Sequence, residues 1–311
     1  MVYCGYLALY GALSNSSYQF VLCITIGFGG MITLFQESGA LMGFRDLLLK
    51  AARGPKRTLV LAWVMSAVMF VDEYLNAPAV TFSMREITDR NRIPREHLAV
   101  QANVMACCLC MTVPFSSWTA FTVGLVSEYG LGFGDYLRAI PYMLYPLCMM
   151  LVCLLLAVGA FPKAGVLKRA YRRVESGGPA FERDEKAEKL VDVADVDESR
   201  TSSAWNAVVP LAVLVGATVF AVGGCWVVMT IAIHVFVPLA LSMGVTAPVI
   251  IAAVMSGIGL GYSTCFYADA VFMTTAGTGV SNITIIKATL PYAAGAAAVA
   301  AAGFLLCGIL A

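Results

Sequence analysis

The chain has 311 residues, 60% of them hydrophobic and 13% charged, with a mean hydropathy of +0.82. Soluble domains carry about 25% charged residues, so this composition excludes an ordinary soluble domain and marks a membrane protein. The 20 Lys and Arg nearly cancel the 19 Asp and Glu, which leaves no basic excess to point to nucleic acid.

The opening stretch, MVYCGYLALYGALSNSS, has no basic n-region and no A-x-A-like site, and so does not read as a cleaved signal peptide. About 20 apolar residues cross a bilayer core. Candidate spans of that kind lie at 17–37, 97–127, 135–160, 205–228, 229–262 and 283–309.

Between the first two spans stands MFVDEYLNAPAV, residues 69–80, with Asp72 and Glu73 adjacent. A carboxylate at a bilayer centre costs about 2.5–3.5 kcal/mol on insertion scales. Arg45, Lys50, Arg53, Lys56 and Arg57 precede this segment, and Arg85, Arg90, Arg92 and Arg95 follow it. The positive-inside rule asks both flanks to be cytoplasmic, and a re-entrant hairpin over 58–86 satisfies it. In that reading 58–71 descends, 72–76 forms the tip, and 77–86 returns with Pro78 opening the returning helix. The alternative is one tilted span over 58–84.

Further along, TVPFSSWTAF at 112–121 and YSTCFYADAVFMTTAGTG at 262–279 interrupt apolar segments. Residues 163–200 carry nine basic and nine acidic side chains, whereas 201–311 carries only Asp269 and Lys287. This divides the chain into a membrane half at 1–161 with the hairpin, a charged cytoplasmic loop at 162–203, and a second membrane half at 204–311. Interrupted spans in corresponding places of two halves are the sequence mark of a secondary transporter's binding site. The expected fold is therefore an all-α integral membrane protein, an inverted-repeat transporter with re-entrant hairpins and broken helices.

Asp72 and Glu73 suit a site that trades a proton for a cation, because burial and a like charge both favour protonation until a cation replaces the proton. Asn76 adds a hard oxygen, which makes Asp72 and Asn76 the expected sodium ligands. Ser116, Ser117 and Thr119 beside Pro114 supply hydroxyls and freed carbonyls. Asp269 is the acid of the second half. The competing reading pairs one acid with Arg85 or an interface arginine, and lets the hydroxyls satisfy their own backbone. His97 reads as an interfacial residue, and His234 as a helix-bonded histidine or a proton relay.

The ten cysteines lie mostly in apolar segments, and ACCLCM at Cys107, Cys108 and Cys110 lacks zinc spacing. No phosphate loop, nucleophile elbow or metalloprotease spacing appears, so the chain is not expected to be an enzyme or to carry a resident cofactor.

FVDEYLNAPAVTFSMREITDRNRIPREHLAVQANVMACCLCMTVPFSSW and YSTCFYADAVFMTTAGTGVSNITIIKATLPYA resemble the NhaC-like sodium/proton antiporter family. The resemblance implies that Asp72, Glu73, Tyr74 and Asn76 belong to the first hairpin tip, Ser116, Ser117 and Trp118 to the first helix break, and Asp269 to the second. Na+ and H+ would be the coupling ions. The family pattern has a second Asp where Glu73 stands, an Asp at Tyr262 and a Pro at Phe266. Its Ser-Asp-Thr-Thr run reads Ala268, Asp269, Ala270 and Val271, and FAVGGCWVV at 220–228 keeps only part of a Thr- and Ser-rich stretch.

The chain is also short for the family, and the spans it lacks would form a static scaffold. The resemblance implies a multi-pass inner-membrane sodium/proton antiporter. The alternatives are a cation-coupled organic anion or amino acid exchanger, and a transport-incompetent remnant or accessory subunit. The expected partners are the bilayer and a small cation or organic solute, with a second copy or a second membrane chain left open.

Overall fold

A computed structural model describes residues 52, 54–70, 73–181 and 225–310. Asp72, the candidate spans at 17–37 and most of 205–228, and the later part of the charged loop lie outside the described residues. Among the described residues all regular structure is helical.

Helix α1, Pro55–Val68, starts where Gly54 takes a left-handed φ of 87° and Pro55 occupies the first turn. Helix α2, Glu73–Arg90, opens on an acid and ends on Arg90, the charge order that the helix dipole favours. The Gly54 N–H donates to Asn91 Oδ1 at 3.2 Å, so the start of α1 lies beside the end of α2 and the two form a hairpin. Fourteen residues rise only about 21 Å, short of a bilayer core of about 30 Å.

The expected restart at Pro78 is corrected. The returning helix begins earlier, at Glu73, and Pro78 lies inside it. The Asn76 amide nitrogen, buried at the tip, donates to the carbonyls of Ser66 and Met69 at 2.8 and 3.1 Å. That tie holds the first turns of α2 against the end of α1, so Glu73, Tyr74 and Asn76 are helical residues rather than loop residues.

Helix α3, Arg95–Thr112, and helix α4, Ser117–Val126, are joined through Pro114. A 3-10 turn extends α4 to Tyr129, and the pair bends by 45°. Helix α5, Phe133–Ala139, runs through a second 3-10 turn to Tyr142 and then meets α6, Leu144–Val158, with a bend of 53°. Helix α7, Gly165–Glu175, buries Leu167, Ala170 and Val174 and exposes its basic face. Arg173 pairs with Glu96 at 2.9 Å, and Tyr171 bonds His97 Nδ1 at 2.6 Å, so α7 caps the basic end of α3.

In the second half α8 is Cys225–Ser242, α9 is Ala247–Thr264, α10 is Asp269–Thr278 and α11 is Asn282–Leu310. The span boundary expected at 228/229 is not present, because α8 runs through it and the chain turns at 243–246, where Gly244 has φ 81°. An uninterrupted apolar run hid that turn.

Ala247–Thr278 and Asn282–Cys307 are long and apolar enough to cross a membrane, and the bent pairs α3–α4 and α5–α6 raise the number to four. Trp118, Tyr136, Met255 and Ile285 share one buried cluster drawn from both halves.

Candidate functional site at three helix breaks

The hairpin tip, the α3–α4 break and the α9–α10 break are stitched together by side chains. Cys110 Sγ donates to the Phe70 carbonyl at the tip, at 3.5 Å. Trp118, in the first turn of α4, donates its indole N–H to Glu73 Oε2 at 2.6 Å. Tyr262, near the end of α9, places its hydroxyl 3.5 Å from Glu73 Oε1, and the Trp118 and Tyr262 rings lie 5.3 Å apart. Glu73 and Trp118 are fully buried, so these donors replace the water that the carboxylate gives up.

One residue further along α2, the Tyr74 hydroxyl donates to Asp269 Oδ2 at 2.6 Å. Asp269 is the first residue of α10, as Glu73 is of α2. The two helices run parallel: Tyr74 meets Asp269, and further on Thr81 opposes Gly277, where an added Cβ would stand 1.8 Å from Thr81 Oγ1. Both positive dipole ends are thus at the acid-bearing end of the pair and favour negative charge there. At the other end, Arg85 and Arg95 donate to the carbonyls of Gly277 and Thr278 at 3.4 and 3.1 Å. Arg85 therefore serves the C-terminus of α10, and Asp269 is not paired with Lys287.

Asn76 Oδ1 is buried and has no hydrogen-bond partner, and Asn103 Oδ1 on α3 is in the same condition. Each amide nitrogen is engaged, that of Asn103 with the Ser263 carbonyl at 3.0 Å. An unmatched buried acceptor is costly, and both oxygens are hard ligands of the kind that small cations take.

The hydroxyls of the first break are used differently. Ser116 Oγ donates to the Cys110 carbonyl and accepts from the Thr119 N–H at 3.1 Å, while Thr119 Oγ1 donates to the Val113 carbonyl at 2.8 Å. They seal the carbonyls released at Pro114. Ser117 is buried in the first turn of α4. Trp118 is the residue of that motif that reaches the acid.

The structure thus places Glu73, Tyr74, Asn76 and Asp269 around the joined breaks, and keeps Ser116 and Thr119 on their own backbone. Asp72 lies outside the described residues. Trp118 and Tyr262 were not among the ligands expected from sequence. Trp118 sits in the FSSW motif, so a signal for it existed, but Tyr262 had only its place where an Asp was expected. Among the described residues no group of three or more His, Cys, Asp or Glu gathers as a metal centre. His234 Nδ1 bonds its own helix at the Thr230 carbonyl, at 2.8 Å, and its Nε2 faces Glu128 at 3.2 Å.

No family model matches the chain, and no solved structure matches it. A stretch of 121 residues, 38% of this chain, is 29% identical to a Haemophilus influenzae (strain ATCC 51907 / DSM 11121 / KW20 / Rd) protein described as an uncharacterized protein. That stretch covers 23% of the relative's length, so the likeness concerns less than a quarter of that protein.

Proposed function

We propose that the chain is a multi-pass secondary transporter of the inner membrane that exchanges sodium for protons at the joined helix breaks. The observation that carries this reading is the placement of Glu73 and Asp269. They open two parallel helices, one from each half, and each is held by an aromatic donor, Trp118 or Tyr74. A buried carboxylate that receives a cation must first release its proton, which couples the two ions at one group. In this reading sodium draws its oxygens from Glu73 and from the unpartnered Asn76 Oδ1 and Asn103 Oδ1, Asp72 is the further acid expected from the sequence, and Asp269 holds the second half in register.

Two related halves are part of this reading, and what supports it is that each half carries a broken pair of helices, α3–α4 in the first and α9–α10 in the second. The short hairpin α1–α2 is re-entrant from the cytoplasm in this reading, with Lys56, Arg57, Arg90 and Arg92 at its mouth and loop 162–203 on the same side.

The test is sodium-dependent proton flux in proteoliposomes. Glu73→Gln and Asp72→Asn abolish it, whereas Glu86→Gln, an exposed residue paired with Arg90, leaves it unchanged. Flux that survives in both site variants would remove these acids from the mechanism. A wild-type protein without flux would leave the remnant or accessory reading.

A further inference from the structure

A groove of about 290 Å³ lies along α1. Lys56 and Arg57 form its rim and Val60, Leu61 and Val64 its floor, so charge and apolar surface belong to one lining. The sequence sets that order. Lys56, Val60 and Val64 follow one another at i, i+4 spacing, as do Arg57 and Leu61, and side chains so spaced share one face of a helix. Val64 is 44% exposed and Val68, one turn further on, 59%, so the apolar stripe stays open toward the hairpin tip. From Lys56 to Val68 the helix rises about 18 Å, and one leaflet of a bilayer core is about 15 Å deep.

Both cations at the rim are exposed. The Lys56 ammonium lies 3.8 Å from where a Cβ on Gly159 would stand, which seats it beside the end of α6. Helix α1 itself contains no acid. The carboxylates of α2 and of the start of α3 are answered by other arginines, Glu86 by Arg90, Asp89 by Arg95 and Glu96 by Arg173. Among the described residues no carboxylate pairs with Lys56 or Arg57. A free inorganic anion would meet the two charges and leave the floor uncovered. A neutral acyl chain would cover the floor and gain nothing from the charges, and a zwitterionic headgroup would bring its own ammonium to the rim. A phospholipid of net negative charge satisfies both parts.

We propose that this groove binds an anionic phospholipid, with its phosphate held at the rim by Lys56 and Arg57 and one acyl chain lying over Val60, Leu61 and Val64. The site is separate from the acids at the helix breaks and does not depend on the ion exchange proposed for them. A lipid seated there braces the short helix α1 from the bilayer side.

Native mass spectrometry of the full chain in detergent, titrated in parallel with dioleoylphosphatidylglycerol and dioleoylphosphatidylcholine, tests this. The first phosphatidylglycerol should bind about tenfold more tightly than the first phosphatidylcholine. The double change Lys56→Gln and Arg57→Gln should abolish that preference. Lys168→Gln with Arg169→Gln, which removes the same charge from exposed positions of α7, should keep it. Val64→Trp, a change at an exposed position that fills the floor, should weaken phosphatidylglycerol binding by about tenfold with both cations in place. Equal affinity for the two lipids, or equal loss in the two double variants, overturns the proposal and leaves only the general attraction of a basic surface. Glycerophosphoglycerol, the same headgroup without chains, should fail to displace the lipid; displacement by it, or binding untouched by Val64→Trp, would also overturn the proposal, because the groove would then hold no acyl chain.

Discussion

Trp118 keeps its ring in the buried cluster of both halves while its N–H answers Glu73 at 2.6 Å. Packing and hydrogen bonding can be separated at this residue, because Trp118→Phe preserves an aromatic ring and deletes the donor. A hydrogen bond to a charged group contributes about 1.5–3 kcal/mol, and leaving the acceptor short costs as much. Trp118→Phe should therefore lower the thermal unfolding midpoint in detergent, with a smaller loss in a Glu73→Gln background. Equal losses in the two backgrounds would mean that the indole contributes by packing alone. The same residue shows why part of the site was hard to read. A Trp or Tyr in an apolar run reads as core, and nothing at Trp118 or Tyr262 says which polar atom its N–H or O–H will find. Acids stand out in such a run, so Glu73 and Asp269 were legible.

At the scale of elements, the closest register device is the contact of α2 with α10. Gly277 has no side chain where a Cβ would lie 1.8 Å from Thr81 Oγ1 and 2.4 Å from Thr81 Cβ. Gly277→Ala therefore pushes the helices apart, an overpacking that costs about 1–3 kcal/mol. The displacement should also part Tyr74 from Asp269, so a Tyr74→Phe change should cost less stability in the Gly277→Ala background than in wild type. Additive losses in the double variant would show that the register does not depend on this glycine. Helix breaks were legible where chemistry changes, at Pro114 and around Asp269. They were not legible at 243–246, because Gly244 is one small residue among many in an apolar stretch and its left-handed φ of 81° leaves no mark on hydropathy. The start of α2 was also missed. Pro78 suggested a helix opening there, whereas the Asn76 bonds to Ser66 and Met69 come from tertiary contact.

For the whole molecule, basic side chains gather at one end. Lys56, Arg57, Arg90, Arg92 and Arg95 flank the hairpin, and α7 adds Lys168, Arg169, Arg172 and Arg173 over the start of α3. Glu128, Asp135 and Arg138 lie in the connection between α4 and α6. With the hairpin re-entrant, Lys56→Cys and Arg90→Cys in a background without reactive thiols should be labelled by an impermeant maleimide from one face of right-side-out and inverted vesicles. Asp135→Cys should be labelled from the other face. Labelling of Lys56→Cys and Arg90→Cys from opposite faces would make 58–84 a span and end the hairpin model.

Helix α10 is gripped at both ends by first-half side chains, Tyr74 at Asp269 and Arg85 with Arg95 at its last carbonyls. A ribosome delivers these parts in a fixed order. The hairpin and its arginines emerge long before α10, so the late helix docks onto a berth that already exists rather than building one with a neighbour made at the same time. Two polypeptides, 1–203 and 204–311, made together should then assemble in one membrane, with the second rescued from degradation by the first. Arg95, which also bonds Asp89 at 2.6 Å, becomes in this light a docking guide for the newly made second half.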